Sequence, residues 1–237
     1  MISPTLLPPK PTIVYPDSDG QPMAENTLQF EYIVTIKGGL DALFRDAADV
    51  FIAGDLLWYP VEGEPTIRIA PDVLAAFGRP KGYRGSYKQW EEGGIAPQVT
   101  FEIMSPGNTW REMLRKYQFY ERYGVEEYYV YEPENNELFG WIRQGPVLRE
   151  IPSMENWVSP RLKVRFDTKS GKLELFDQEG RKFATYLELA AQEEQERRAR
   201  EQAQKQAEHA QKQAEEQAGR AERLAAQLKA LGIEPEA

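Results

Sequence analysis

Apolar residues recur along the chain with two periods, and the switches between them set the expected order of elements. Leu28, Tyr32, Ile36, Leu40 and Leu43 lie three or four residues apart, which predicts a helix from about Ala24, with Gly38 and Gly39 weakening its second half. The run DVFIAGDLLWYP (49–60) is apolar in short blocks split by Gly54-Asp55, which predicts strand and turn. Residues 66–77 read as another strand, interrupted at Pro71-Asp72, and 78–97 as a long charged loop with one helical turn. QVTFEIM (98–104) reads as a strand, Ser105-Pro106-Gly107-Asn108 as a turn, and 109–123 as a helix. That helix carries a T-x-x-E capping box (Thr109, Glu112), an apolar stripe (Met113, Tyr117, Tyr120) and a C-terminal Gly124. Short strands are expected at 127–131, 138–143, 147–151, 162–166 and 172–176.

Beyond residue 186 the pattern changes. Residues 188–229 hold one glycine, no proline, and mostly Ala, Gln, Glu, Lys and Arg. The heptad AQKQAEH (203–209) is followed by AQKQAEE (210–216), and Ala207, Ala210, Ala214, Ala221, Leu224, Leu228 and Leu231 form a thin seam. Alanine buries little area, so a solvated helix and a weak coiled coil both remain open. Three regions are therefore expected: an extended arm over 1–20, a globular domain over 21–185 and a charged helical tail over 186–237.

Composition narrows the chemistry by elimination. There is no cysteine, so thiolate sites are excluded and a reducing, cytoplasmic setting is expected. The one histidine, His209, falls in the polar tail, which leaves the domain without a Ser-His-Asp triad or a histidine-ligated zinc. No P-loop and no G-x-G-x-x-G is present. MISPTLLPPKPTIVYP is not expected to be a signal peptide, and no run approaches the ~20 apolar residues of a membrane span. A net charge of −9 argues against non-specific DNA binding over the whole surface, although Arg79, Lys81, Arg84 and Lys88 form one basic run and Arg111, Arg115, Lys116 and Arg122 another.

What remains is carboxylates, lysine and a hard cation. Asp72 at a strand end, Glu102 in the next main strand and Lys116 on the following helix occur in that order, and their residue types suit phosphodiester hydrolysis. Two carboxylates hold the cation, and a lysine orients water and stabilises charge on the phosphate. On spacing alone, ordinary roles account for all three: a turn cap, an arginine partner and a surface lysine.

The segments SDGQPMAE (18–25), FIAGDLLWYPVEGEP (51–65), IAPDVLAAFGRPKGYRGSYKQWEEG (69–93), FEIMSP (101–106) and KYQFYERYGVEEYYVYEPE (116–134) resemble, in combination, the Uma-type restriction endonuclease family of the PD-(D/E)XK nuclease superfamily. The resemblance implies an α/β fold, a restriction-endonuclease-like three-layer core with a mixed central sheet, followed by a long C-terminal helix. It implies a Mg²⁺- or Mn²⁺-dependent DNA endonuclease with Asp72 and Glu102 as metal ligands. Lys116 takes the place of the lysine that the motif puts at position 104, which is Met here, and Glu25 is an auxiliary acid beside Ser105. The turn PGNT is less rich in Ser and Thr than the family pattern, and Gln29 stands where relatives often carry histidine. Arg79, Lys81, Arg84 and Lys88, with Tyr83, Tyr87 and Trp90, are expected either to contact nucleic acid or to pack a long loop. A homodimer held by the globular domain is expected, since cutting both strands uses two sites. The rival expectation is an inactive nuclease-fold scaffold that works through its helical tail.

Overall fold

The computed structural model describes residues 13–18, 20 and 23–230, so most of the expected arm, and Leu231 of the seam, lie outside the described residues. The elements run α1 (Thr27–Leu43), β1 (Val50–Gly54), β2 (Trp58–Tyr59), β3 (Val73–Phe77), β4 (Tyr87–Lys88), β5 (Val99–Ile103), α2 (Trp110–Tyr123), β6 (Glu127–Glu132), β7 (Glu137–Gln144), β8 (Val147–Glu150), β9 (Arg165–Asp167), β10 (Glu174–Phe176) and α3 (Tyr186–Ala230). The chain divides into two compact units, 1–185 and 186–237.

A six-stranded sheet of order β1-β3-β5-β6-β7-β8 organises the first unit. Only β5 and β6 are parallel, because α2 carries the chain between them; every other neighbour pair is antiparallel. Successive side chains on a strand point to opposite faces. In β5 this sends Val99, Phe101 and Ile103 into the layer of α1, with Ile33, Ile36 and Leu40. The opposite face belongs to α2, where Met113 and Tyr120 pack against Leu74, Tyr128 and Val130. The result is the expected three-layer α/β core with a mixed sheet, and Glu102, between Phe101 and Ile103, falls on the α2 face.

Local chemistry explains where elements begin and end. Asn26 caps α1 by accepting from the Gln29 N–H at 2.8 Å, so the helix begins at Thr27, three residues after the start expected from periodicity. The buried stripe of α1 is Gln29, Ile33, Ile36 and Leu40, while Leu28 is exposed. The Thr109–Glu112 capping box is formed in both directions, and Gly124 closes α2 in the left-handed region. The strand expected over 66–77 is shortened to β3, since Pro71 has no N–H to donate and Ile69 pairs with Trp58 instead. The strand expected over 162–166 begins later, after Lys163 takes a φ of 58°. The long loop 78–97 contains β4, which runs parallel to β2.

The two helical glycines differ in their surroundings. A Cβ on Gly38 would meet nothing within 4 Å, whereas one on Gly39 would lie 2.1 Å from the Phe183 ring. Gly38→Ala is therefore expected to stabilise the domain by about 0.5–1 kcal/mol through helix propensity. Gly39→Ala should destabilise it by about 1–3 kcal/mol through overpacking. Urea unfolding of both variants checks this, and equal effects would mean Phe183 does not pack on α1.

The second unit is essentially α3, a 45-residue helix with no buried residue. Its charges pair along its own surface, as in Arg198–Glu194 and Arg200–Glu196, contacts that stabilise a helix by only a few tenths of a kcal/mol each (about 0.2–0.5).

Candidate active site

Strand register builds the site. Gly54 pairs with Val73 and Val73 with Phe101, so one further step places Asp55, Asp72 and Glu102 on a single rung across β1, β3 and β5. The Asp55 N–H donates to the Asp72 carbonyl at 3.2 Å, consistent with that rung. Side chains on one rung point to one face, here the face of α2. Asp72 is 9% exposed and Glu102 1%.

Each carboxylate is held by specific donors. The Ile103 N–H donates to Asp72 Oδ2 at 2.6 Å. Lys116 Nζ donates to Glu102 Oε2 at 2.5 Å, and the Tyr120 hydroxyl donates to Glu102 Oε1. Lys116 and Tyr120 are one helical turn apart on α2, so a single face of that helix meets both oxygens of Glu102. Tyr120 is itself stacked on buried Trp58, with ring centroids 6.2 Å apart.

The electrostatics follow from crowding like charges in a dry place. Burial, and then repulsion from Glu102, push the Asp72 carboxyl up to about 7, against the opposing pull of Lys116 and the Ile103 N–H. Burial alone would lower the Lys116 ammonium, but Glu102 and Asp72, with Asp55 behind them, reverse this and hold it above the ordinary lysine value. Burial and the adjacent Glu102 also hold the Tyr120 hydroxyl well above its usual range, so it remains a donor.

These groups open into a cavity of about 370 Å³ whose charged lining is Glu25, Asp55, Arg68, Asp72, Glu102 and Lys116. Glu25 enters from just before the Asn26 cap and accepts from the Ser105 hydroxyl. Gln29 braces this corner, accepting from the Glu25 N–H at 2.8 Å and donating to the Ile103 carbonyl at 2.9 Å. The PGN turn is fitted to Glu25: a Cβ on Gly107 would lie 2.5 Å from the Glu25 carboxylate, and Asn108 Oδ1 accepts from the Ser105 N–H at 3.0 Å. Among the described residues, no three acidic or histidine side chains gather tightly enough to cage a metal ion.

Residues 19–167, more than half of the 237, match the Uma2 family, described as "Putative restriction endonuclease". The chain belongs to the Uma2 family. The matched span includes every charged residue of the cavity. A crystal structure described as a putative nuclease belonging to DUF820 from Anabaena variabilis ATCC 29413 is also similar. It aligns over 58% of this chain and 75% of its own, with 11% identity and a TM-score of 0.44. No curated protein matches the chain.

For this Uma2-family chain the structure brings Asp72, Glu102, Lys116 and Glu25 to one cavity. The basic run lies elsewhere. Arg79 and Arg84 both grip Glu92, at 3.0 and 2.5 Å. Lys81 donates to the Phe44 and Arg45 carbonyls at 2.5 and 2.8 Å, and Lys88 reaches Glu91 at 3.4 Å. Hydrogen bonding to Arg84 leads the effects that hold Glu92 below the usual carboxylate range. Tyr87 is buried with its hydroxyl on the Ile95 carbonyl, Trp90 packs on Tyr15, and Tyr83 is exposed. Sequence reasoning missed Asp55, Arg68 and Tyr120. The Gly54-Asp55 break was a signal for the first, which takes a φ of 46°, and Tyr120 looked like one more apolar stripe position.

Proposed function

We propose that this chain is a Mg²⁺- or Mn²⁺-dependent endodeoxyribonuclease that hydrolyses DNA phosphodiester bonds in the cavity lined by Asp72, Glu102 and Lys116. The observation that carries the reading is the buried pair Asp72 and Glu102 beside Lys116, in a cavity lined by four carboxylates and two cations. That formal balance of −2 repels a phosphodiester until a divalent cation offsets it. Two carboxylates are hard oxygen donors of the kind that Mg²⁺ and Mn²⁺ take.

Asp72 and Glu102 would hold the cation, which when bound draws charge from the scissile phosphate and acidifies a water. The Ile103 N–H and the Tyr120 hydroxyl fix the two carboxylates in advance. Lys116, kept protonated by its carboxylate neighbours, orients the water and stabilises the charge that grows on the phosphate oxygens. The water oxygen bonds to phosphorus as it gives up a proton to solvent, the P–O bond to the leaving sugar oxygen breaks and that oxygen takes up a proton from solvent, and Glu25 with Ser105 supports the outer edge of the site. In this reading Arg79, Lys81, Arg84 and Lys88 brace the 78–97 loop.

The test is nicking of supercoiled plasmid by the purified chain. Open circles should form with Mg²⁺ or Mn²⁺ and not with chelator. No product with either cation would leave the second reading, an inactive scaffold working through α3, a helix with no buried residue. Under the nuclease reading a homodimer rests on the globular unit, because the alanine seam of α3 buries too little to hold one. Sedimentation of a chain ending at Thr185 checks this: a monomer beside a dimeric full-length chain would assign dimerisation to the tail. The absence of cysteine fits a cytoplasmic setting, and among the described residues no helix is long and apolar enough to cross a membrane.

A further inference from the structure

We infer that Arg68 is a phosphate-binding residue that docks the nucleic-acid backbone at the mouth of this cavity, an inference resting on the reading that DNA enters there. Two cations line the cavity, and they stand in different situations. Lys116 is committed to Glu102 at 2.5 Å. Arg68 makes no hydrogen bond, ion pair or ring contact with any described residue, although four carboxylates share the cavity with it. Nearly every other arginine in the first unit with a half-buried side chain is tied down, as Arg79 and Arg84 are on Glu92 and Arg143 is on the Val125 carbonyl. A half-buried guanidinium carries five donors, and since those of Arg68 meet no acceptor among the described residues, they are left to whatever enters the cavity.

The backbone beneath Arg68 is fixed. The next residue, Ile69, pairs with Trp58 in both directions, donating at 3.2 Å and accepting at 2.7 Å. Pro71 then stiffens the path to Asp72. Arg68 therefore stands at a set distance along the chain from the proposed metal ligand, so a phosphate held by it is positioned relative to the reacting one. A planar guanidinium suits two oxygens of a phosphodiester better than an ammonium does. The chemistry recognised is the backbone phosphate, so the contact is independent of base sequence.

The test is fluorescence anisotropy of a labelled DNA duplex across a salt series, with wild type, Arg68→Ala and Arg68→Lys, alongside plasmid nicking and thermal melting. Arg68→Ala should raise Kd by roughly 3- to 10-fold on any sequence and reduce the slope of log K against log salt by about 0.9. Arg68→Lys should restore the slope but not the full affinity. The melting temperature should move little in Arg68→Ala, since no hydrogen bond or ion pair with a described residue is lost. Unchanged affinity and slope in Arg68→Ala, with wild type still nicking, would overturn the inference while leaving the nuclease reading in place. A weakened Arg68→Ala beside a wild type that binds DNA without nicking it would uphold the inference and sink the nuclease reading. Failure of the wild type to bind the duplex at all would overturn the inference.

Discussion

Glu102→Gln is expected to reduce metal-dependent nicking by on the order of 10²–10³-fold or more while leaving the domain folded. Glutamine keeps the side-chain shape and can still accept from Tyr120, so the packing of β5 against α2 survives. What disappears is the charge. Lys116 loses its 2.5 Å partner but retains Asp72 nearby, and its side chain is 24% exposed, so the leftover positive charge is neither isolated nor fully dry. Asp72 in turn loses the repulsion of Glu102 and ionises more readily. These changes oppose one another, so stability should shift by less than about 2 kcal/mol. Calorimetric titration with Mn²⁺ should show weaker binding in Glu102→Gln. Lys116→Ala separates the roles: nicking falls, but the cation still binds, and more tightly, because a competing positive charge has left the carboxylates. Nicking by Glu102→Gln at the wild-type rate would refute the assignment of Glu102 to the reaction.

Asp72→Asn should make the metal-free domain more stable at pH 8 and have no such effect near pH 4. The carboxyl of Asp72 is raised from 3.8 to about 7 in the folded chain. Below pH 4 folded and unfolded states both carry the proton, and the stabilisation of the protonated form is fully present. As pH rises toward 7 the unfolded chain gives up its proton while the folded one holds it, so stability is lost progressively, and above 7 the loss is complete. At about 1.4 kcal/mol per pH unit, and allowing for solvent reaching the cavity, the loss is roughly 2–4 kcal/mol. Asparagine cannot ionise and still accepts from the Ile103 N–H, so it avoids this loss. For a domain of this size that corresponds to about 4–16 °C in melting temperature. Saturating Mg²⁺ should raise the wild type at pH 8 and leave Asp72→Asn unmoved. Thermal melts of both proteins at pH 4.5 and pH 8, with and without Mg²⁺, check this; a variant less stable than wild type at pH 8 would show that Asp72 serves the fold rather than a cation.

Parts of the site were legible because they are local. Glu102, the turn and Lys116 sit within one strand–turn–helix unit, where a period of two fixes the face of Glu102 and the 3.6-residue period turns Lys116 and Tyr120 toward it. The capping box and Gly124 marked both ends of α2 for the same reason. Asp55 was not legible, since its place beside Asp72 depends on the register of β1 on β3, which no local pattern encodes. Gln29 stood out only as a departure from the histidine that relatives often carry, and its bracing role depends on β5 supplying the Ile103 carbonyl as its partner. The 78–97 loop was opaque because its charges are satisfied by residues distant in sequence or across a turn, and because β4 pairs with β2 only once the chain has folded back.

By itself the sequence determined the element types, the switch at residue 186, the exclusion of histidine and thiolate chemistry, and the acidic-acidic-lysine order, all set by residue inventory and short-range periodicity. Only the tertiary structure decided which charges meet. It closed Asp55, Asp72 and Glu102 onto one rung, tied Arg79 and Arg84 to Glu92, and left Arg68 lining the cavity with no hydrogen-bond or ion-pair partner among the described residues. Pairing between side chains far apart in the chain is fixed by strand register and by the folding of α2 back on the sheet, and neither is written in any stretch shorter than the domain itself.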